Sequence, residues 1–388
     1  MTDIIQLFSG IGVVIDEKIH DKENTPNGIQ KIVNSIEEKN ILLLKLDSLP
    51  EDETISKLHS ISFLILDWNL SGVQPIPEAT IKDNVEFLAK LKQTCFIPLF
   101  IFSDEDPRSI EVALSGSGIT MQNSPVFIKK KDELDTADKL FKELEKWMKN
   151  TPSVYVLKEW EKACRDAKNQ MLWSLSSTHP AWPKILMNST KKDGGNQEME
   201  LIEMLQNNLN YRLTYPNLDI DLIKRQETTG ITKKELRNIL ECERFLQKTS
   251  LPNHPFAGDV YCIDDNYYIN IRPDCDIIRE ADKQNKDMYL LSGEIVDETK
   301  INTETENRIV FESGEFVEKN NCCYIAFVNG YILQFSLKDL YIKQWNDIKD
   351  KRIGRLLPPY ITKIQQKYSY YIQRQGLPRI PAEAITPK

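Results

Sequence analysis

Long hydrophobic runs are missing from this 388-residue chain. No stretch reaches the roughly 18 apolar residues that a membrane-spanning helix requires. The opening residues Met1-Thr2-Asp3-Ile4 lack the basic start and apolar core of a secretory signal, so a cytoplasmic location away from membranes is expected. Histidine is scarce: His20, His59, His179 and His254 are scattered and unpaired. They offer little material for a His-based metal site or a Ser-His hydrolase. None of the seven cysteines stands in a CxxC pair. The adjacent Cys322-Cys323 fits neither a disulfide framework nor a zinc spacing, and most cysteines are expected to be small buried hydrophobes. Positive charge is short as well, with 50 basic against 58 acidic residues and a net charge of −8. A whole-chain nucleic-acid binder would show a basic footprint, so nucleic acid is not an expected partner. After residue 150 there is no nucleotide-binding glycine loop, nuclease acid-lysine cluster or nucleophile elbow, and no separate catalytic domain is expected.

What is present is an ordinary globular composition, 40% hydrophobic and 28% charged. The length suffices for about two or three domains with their own cores. The organising stretch is Phe63-Leu64-Ile65-Leu66-Asp67-Trp68-Asn69-Leu70-Ser71-Gly72, four apolar residues that read as a buried strand delivering Asp67 to a sheet edge. Ligands of open parallel α/β sheets bind at the carboxyl ends of the strands, although an aspartate there can also serve only to bond a turn. Its neighbours repeat the pattern. Gly12-Val13-Val14-Ile15 ends at Asp16-Glu17, Ile97 to Phe102 ends at Ser103-Asp104, and Val126-Phe127-Ile128 runs into Lys129-Lys130-Lys131. Ile41 to Leu46 is a further strand. Helical spacing appears over 27–39, 55–61, 83–93, 107–114 and 134–148. Alternating strands and helices imply a doubly wound five-stranded parallel sheet over residues 1–150. Three carboxylates brought together would repel unless a divalent cation sat among them, and an all-oxygen cage suits Mg²⁺. A cation and a lysine beside Asp67 would stabilise a phosphoryl group, with the serine hydroxyl bonding one of its oxygens.

In these four stretches the chain resembles the receiver domain of two-component response regulators. The resemblance implies a flavodoxin-like fold and phosphorylation of Asp67 by the phosphohistidine of a sensor histidine kinase. It further implies Mg²⁺ held by Asp16, Glu17, Asp67 and the Asn69 carbonyl, Ser103 as switch hydroxyl, and a lysine pairing with the phosphate. An aromatic three residues earlier, Phe127, selects Lys130 for that role, with Lys129 as the alternative by a one-residue slip. The sequence departs from the family at Lys131 and Ser71, where prolines are usual, and at Asp104, which adds a carboxylate.

Beyond Asn150, a helix over 154–176 carries Trp160 and Trp173 as expected core aromatics. Together with a helix from Glu198 and a capping box at Thr232/Glu235, it makes a helical linker domain of 151–250. Short strands at 259–263, 267–271, 307–312, 322–327 and 331–336 suggest a small antiparallel sheet or barrel within a 255–388 module. Asp274-Cys275-Asp276 reads as a turn around a buried cysteine, and residues 352–375 as a terminal helix packing its tyrosines on the sheet. This module loosely resembles SH3-like barrels of bacterial conflict systems. The combination resembles the receiver-only regulators of Detocs-type antiphage defence. That implies a phosphate-sink or modulating role, with the kinase and other receiver-bearing effectors as partners. The alternative is a DNA-binding transcriptional regulator using residues 210–250 or 352–375.

Overall fold

The computed structural model describes residues 10–21, 27–116, 125–134, 136–192, 196–280, 285–296, 318–319, 322–328 and 330–373, together with 8, 119 and 283. The chain divides into two compact units, Met1–Ser174 with Leu209–Glu227, and Leu175–Asn208 with Thr228–Lys388. It therefore crosses between them at three places. The helical linker domain expected over 151–250 is shared between the two.

The first unit is built on β1 (Ile11–Ile15), β2 (Leu42–Leu46), β3 (Phe63–Leu66), β4 (Leu99–Ser103) and β5 (Val126–Lys130), in the order β2-β1-β3-β4-β5. Every pairing is parallel. β3 and β4 are buried along their whole length because helices cover both faces of the sheet, the condition for continuous apolar strands. Side chains alternate between the faces. Val14, Phe63, Ile65, Phe100 and Phe102 share a core with Leu140, Leu144 and Trp147, while Val13, Ile15, Leu64, Leu66 and Ile101 pack with Phe87, Leu88 and Leu91. The first helix, Gly28–Glu37, opens with a capping box between Asn27 and Gln30. The helix expected from Asp83 begins earlier and spans Glu78–Thr94.

Two expectations about the long helix Pro152–Ser176, nearly all of which belongs to this unit, need correcting. Trp160 and Trp173 are exposed, and it is Val154 and Tyr155 that enter the core. Trp173 is turned away from the buried stripe of Ala163, Ala167 and Met171, whereas Trp160 shares that stripe's face by the 3.6-residue repeat and is exposed all the same. The Tyr155 hydroxyl also accepts the Asp219 backbone N–H at 2.9 Å, tying the returning segment to this unit.

The second unit carries an eight-stranded antiparallel sheet, β6 (Phe245–Gln247), β7 (Asp259–Ile263), β8 (Asn266–Asn270), β9 (Asp287–Ile295), β10 (Glu318–Lys319), β11 (Cys322–Val328), β12 (Tyr331–Gln344) and β13 (Arg352–Leu356). The β7–β8 hairpin turns through Asp264 and Asp265, both with positive φ, as a two-residue primed turn demands. The terminal helix, Tyr360–Gln373, sets Tyr360, Tyr368 and Tyr371 against the sheet core. Asp274 opens a helix, Asp274–Arg279, rather than a turn, and Cys275 is exposed instead of buried, as is Cys242. The strand expected over 307–312 lies outside the described residues. Among the described residues no helix is long and apolar enough to cross a membrane.

Candidate functional site

The carboxyl ends of β1, β3, β4 and β5 converge on one edge of the parallel sheet. Asp16 directly follows β1 and Asp67 directly follows β3, and their backbones continue the strand ladder: the Asp67 N–H donates to the Ile15 carbonyl at 2.8 Å. Both side chains are buried, Asp16 completely. Asp16, Glu17 and Asp67 each bring a carboxylate oxygen within 4.8 Å of the others.

A lysine reaches into this acidic group. Lys131 donates from Nζ to Asp16 Oδ2 at 2.7 Å and to Asp67 Oδ2 at 2.8 Å. It is Lys131, not Lys130 or Lys129, that occupies the position expected for the site lysine. The reason lies in the pleat of β5. Phe127 and Lys129 point to the face covered by helix Ala137–Asn150, where Phe127 meets Trp147 and Lys129 pairs with Glu143 and, beyond the strand, Glu133. Ile128 points to the other face, and Lys130 shares its parity. Lys131 escapes the alternation because it is the first residue of the 3₁₀ turn Lys131–Leu134. Its side chain turns back over the strand ends. The signal that could have found it is position rather than spacing from an aromatic, since it is the first of the three lysines to leave the strand.

Charge in the site is unevenly compensated. Burial works against the Lys131 ammonium, but Asp67 and Asp16 more than offset that and hold its pKa above the ordinary value. Burial raises the Asp16 carboxyl, a shift that Lys131 opposes. Glu17 meets instead the Lys18 ammonium, which is half exposed and stands 3.6 Å from its Oε1. Burial, then the negative charges of Asp67 and Asp16, push it up to about 7.

The remaining oxygens are arranged by the backbone. Asp16 Oδ1 accepts the Lys18 N–H at 2.8 Å, and Asp67 Oδ1 accepts the Asn69 N–H at 3.3 Å. The loop after β3 is cross-tied, with the Ser71 hydroxyl donating to Asn69 Oδ1 and the Asn69 amide donating to the Val73 carbonyl. Gly72 turns this loop with a φ of 63°, in the left-handed region that favours glycine. A Cβ added there would contact Glu17 at 3.8 Å. Ser103, the last residue of β4, is buried with its hydroxyl unpartnered, and Glu17 Oε2 is likewise buried without a partner. Orphaned oxygens beside clustered carboxylates fit a metal ion, and an all-oxygen donor set fits a hard one.

The structure thus brings Asp16, Glu17, Asp67 and Lys131 together, with Ser103 buried at the end of the neighbouring strand. The Asn69 carbonyl accepts the Gly72 N–H at 3.3 Å. The five-stranded parallel sheet with its helices is compatible with a receiver-like, flavodoxin-like fold. No protein-family model matches the chain, and neither a curated protein nor a solved structure matches it.

Proposed function

We propose that the first unit is a phosphoacceptor receiver in which Asp67 takes a phosphoryl group from the phosphohistidine of a sensor kinase. The observation that carries this reading is the double contact of Lys131 with Asp16 and Asp67. It places one fixed positive charge between the two buried carboxylates of a three-carboxylate cluster whose members would otherwise repel one another. Mg²⁺ held by Asp16, Glu17, Asp67 and the Asn69 carbonyl would neutralise charge on the incoming phosphoryl oxygens. An Asp67 oxygen attacks phosphorus, the P–N bond breaks, and its electron pair returns to the imidazole. Lys131 then exchanges its bond to Asp67 for one to the phosphoryl group, a charge-assisted pairing. The Ser103 hydroxyl, which has no other partner, donates to a phosphoryl oxygen.

In this reading the second unit is a binding module rather than a catalyst. The protein acts as a phosphate sink or signal modulator in a bacterial antiphage system built like a two-component pathway, alongside a kinase and other receiver-bearing effectors. The transcriptional alternative has weaker support, because the candidate recognition helix Lys233–Arg244 carries Glu235, Glu241 and Glu243 among its basic residues. Duplex binding that falls with salt and changes on phosphorylation would favour it.

Intact-protein mass spectrometry tests the reading, after incubation with Mg²⁺ and acetyl phosphate or a phosphorylated kinase. A phosphoryl adduct on the wild type that is absent from Asp67→Asn is the expected result. No adduct with either donor would leave the unit a binding scaffold.

A further inference from the structure

Asn84 is completely buried in the middle of helix Glu78–Thr94, on the face that carries Phe87, Leu88 and Leu91 into the core. An amide there is costly, because its Oδ1 has no hydrogen-bond partner. Its Nδ2 is engaged, donating to the Trp68 carbonyl at 2.7 Å. That carbonyl belongs to the peptide joining Trp68 to Asn69. A trans peptide is planar, and its C=O and N–H point in opposite directions. Pinning the Trp68 oxygen against the helix therefore aims the Asn69 N–H the other way, and it donates to Asp67 Oδ1 at 3.3 Å. Lys131 holds the other oxygen, Oδ2. The two oxygens of Asp67 are thus fixed from opposite sides, one by Lys131 directly and one by Asn84 through a peptide plane. The Trp68 ring, buried in the same core as Phe87 and Leu88, keeps the peptide from swinging.

We infer that Asn84 is a positioning residue for the Asp67 carboxylate, acting through the Trp68–Asn69 peptide. The inference rests on the reading of Asp67 as the phosphoryl acceptor. Asn84 touches neither donor nor metal. A leucine at this position would match the surrounding core, and it would remove both the orphaned oxygen and the hold on Trp68. The fold then survives while the carboxylate loses its orientation. Outer partners of a metal-holding carboxylate matter at this scale, so Asn84→Leu is expected to weaken Mg²⁺ binding and slow adduct formation by about tenfold each.

The test uses full-length wild type, Asn84→Leu and Phe87→Leu, the last a core change on the same helix face that keeps the Asn84 bond to the Trp68 carbonyl. Melting temperature, Mg²⁺ affinity by calorimetry, the rate of adduct formation with acetyl phosphate, and hydrogen exchange at the Asn69 amide without metal are measured for each. Support is a faster-exchanging Asn69 amide and about tenfold losses in Asn84→Leu alone. Asn84→Leu within twofold of wild type, or Phe87→Leu losing as much, overturns the positioning role and leaves Asp67 as acceptor. A wild type that binds no Mg²⁺ and forms no adduct overturns the acceptor reading itself, and the positioning role with it.

Discussion

Lys131 stands between Asp16 and Asp67, with its ammonium 2.7 Å from one carboxylate and 2.8 Å from the other. All three side chains are nearly or fully withdrawn from solvent, so each depends on the others for its charge. Removing one member of a buried ion pair strands the rest. Lys131→Met is expected to destabilise the metal-free protein by about 3 kcal/mol. Lys130→Ala should stay within about 0.5 kcal/mol of wild type. Urea unfolding compares the two, and equal effects would mean that the lysines are interchangeable in solution.

Ser103 is buried with an unpartnered hydroxyl. Losing that hydroxyl removes no internal hydrogen bond, so Ser103→Ala should unfold within about 1 kcal/mol of wild type. If the hydroxyl serves the phosphoryl group, the variant still forms the adduct on Asp67. It then loses the change in hydrogen exchange that phosphorylation induces around β4. An unaltered exchange response would remove Ser103 from the switching role.

Gly72 sits at a φ of 63°, and a methyl group there would only touch Glu17, so the cost of a side chain lies in the backbone. Gly72→Ala should cost about 1 kcal/mol through the backbone conformation. It should also weaken Mg²⁺ binding, because a backbone that relaxes from the left-handed region moves the residue-72 N–H off the Asn69 carbonyl that it holds at 3.3 Å. Urea unfolding reads the first effect and calorimetric titration with Mg²⁺ the second, and unchanged affinity would separate the turn from the site.

His254 lies in the second unit, its pKa lowered to about 4 by burial and by the charges of Lys286, Arg355 and Arg352. The folded chain therefore binds fewer protons here than the unfolded chain between about pH 6.5 and 4. Stability from this group is complete above its unfolded value, and it is lost as pH falls through that window. His254→Gln should flatten the pH dependence of the melting temperature over the same range. A variant whose profile parallels wild type would assign the acid sensitivity elsewhere.

Most of the first unit was legible because its strands are short apolar runs ending in polar residues, and period and punctuation agree there. Asp16, Glu17, Asp67 and Ser103 could be placed at strand ends for that reason. The lysine was misplaced by one residue because three consecutive lysines carry no periodicity, and only the point at which β5 becomes a turn separates them. Asn84 gave no signal, since one amide in a helical repeat reads as a surface residue until its burial is known. Trp160 and Trp173 read as core aromatics, yet both are exposed; the helix repeat turns Trp173 away from the buried Ala163, Ala167 and Met171 but leaves Trp160 on their face. In the second unit β9 and β13 were missed. β13, Arg352-Ile353-Gly354-Arg355-Leu356, contains arginines that a period-two reading assigns to solvent, and it falls within the stretch read as a terminal helix. Arg352 and Arg355 instead turn to the buried Asp259, at 3.3 and 2.6 Å.

The chain passes between its two units three times, leaving the first after Ser174, returning at Leu209 and leaving again after Glu227. The receiver-like unit is consequently not a cassette. A gene fusion cut once after residue 150 would carry the catalytic-looking strand ends but shed Val154, Tyr155 and the segment fastened to it. Recombination that preserves this unit must keep or replace its partner as well, so the two are expected to be inherited together rather than shuffled.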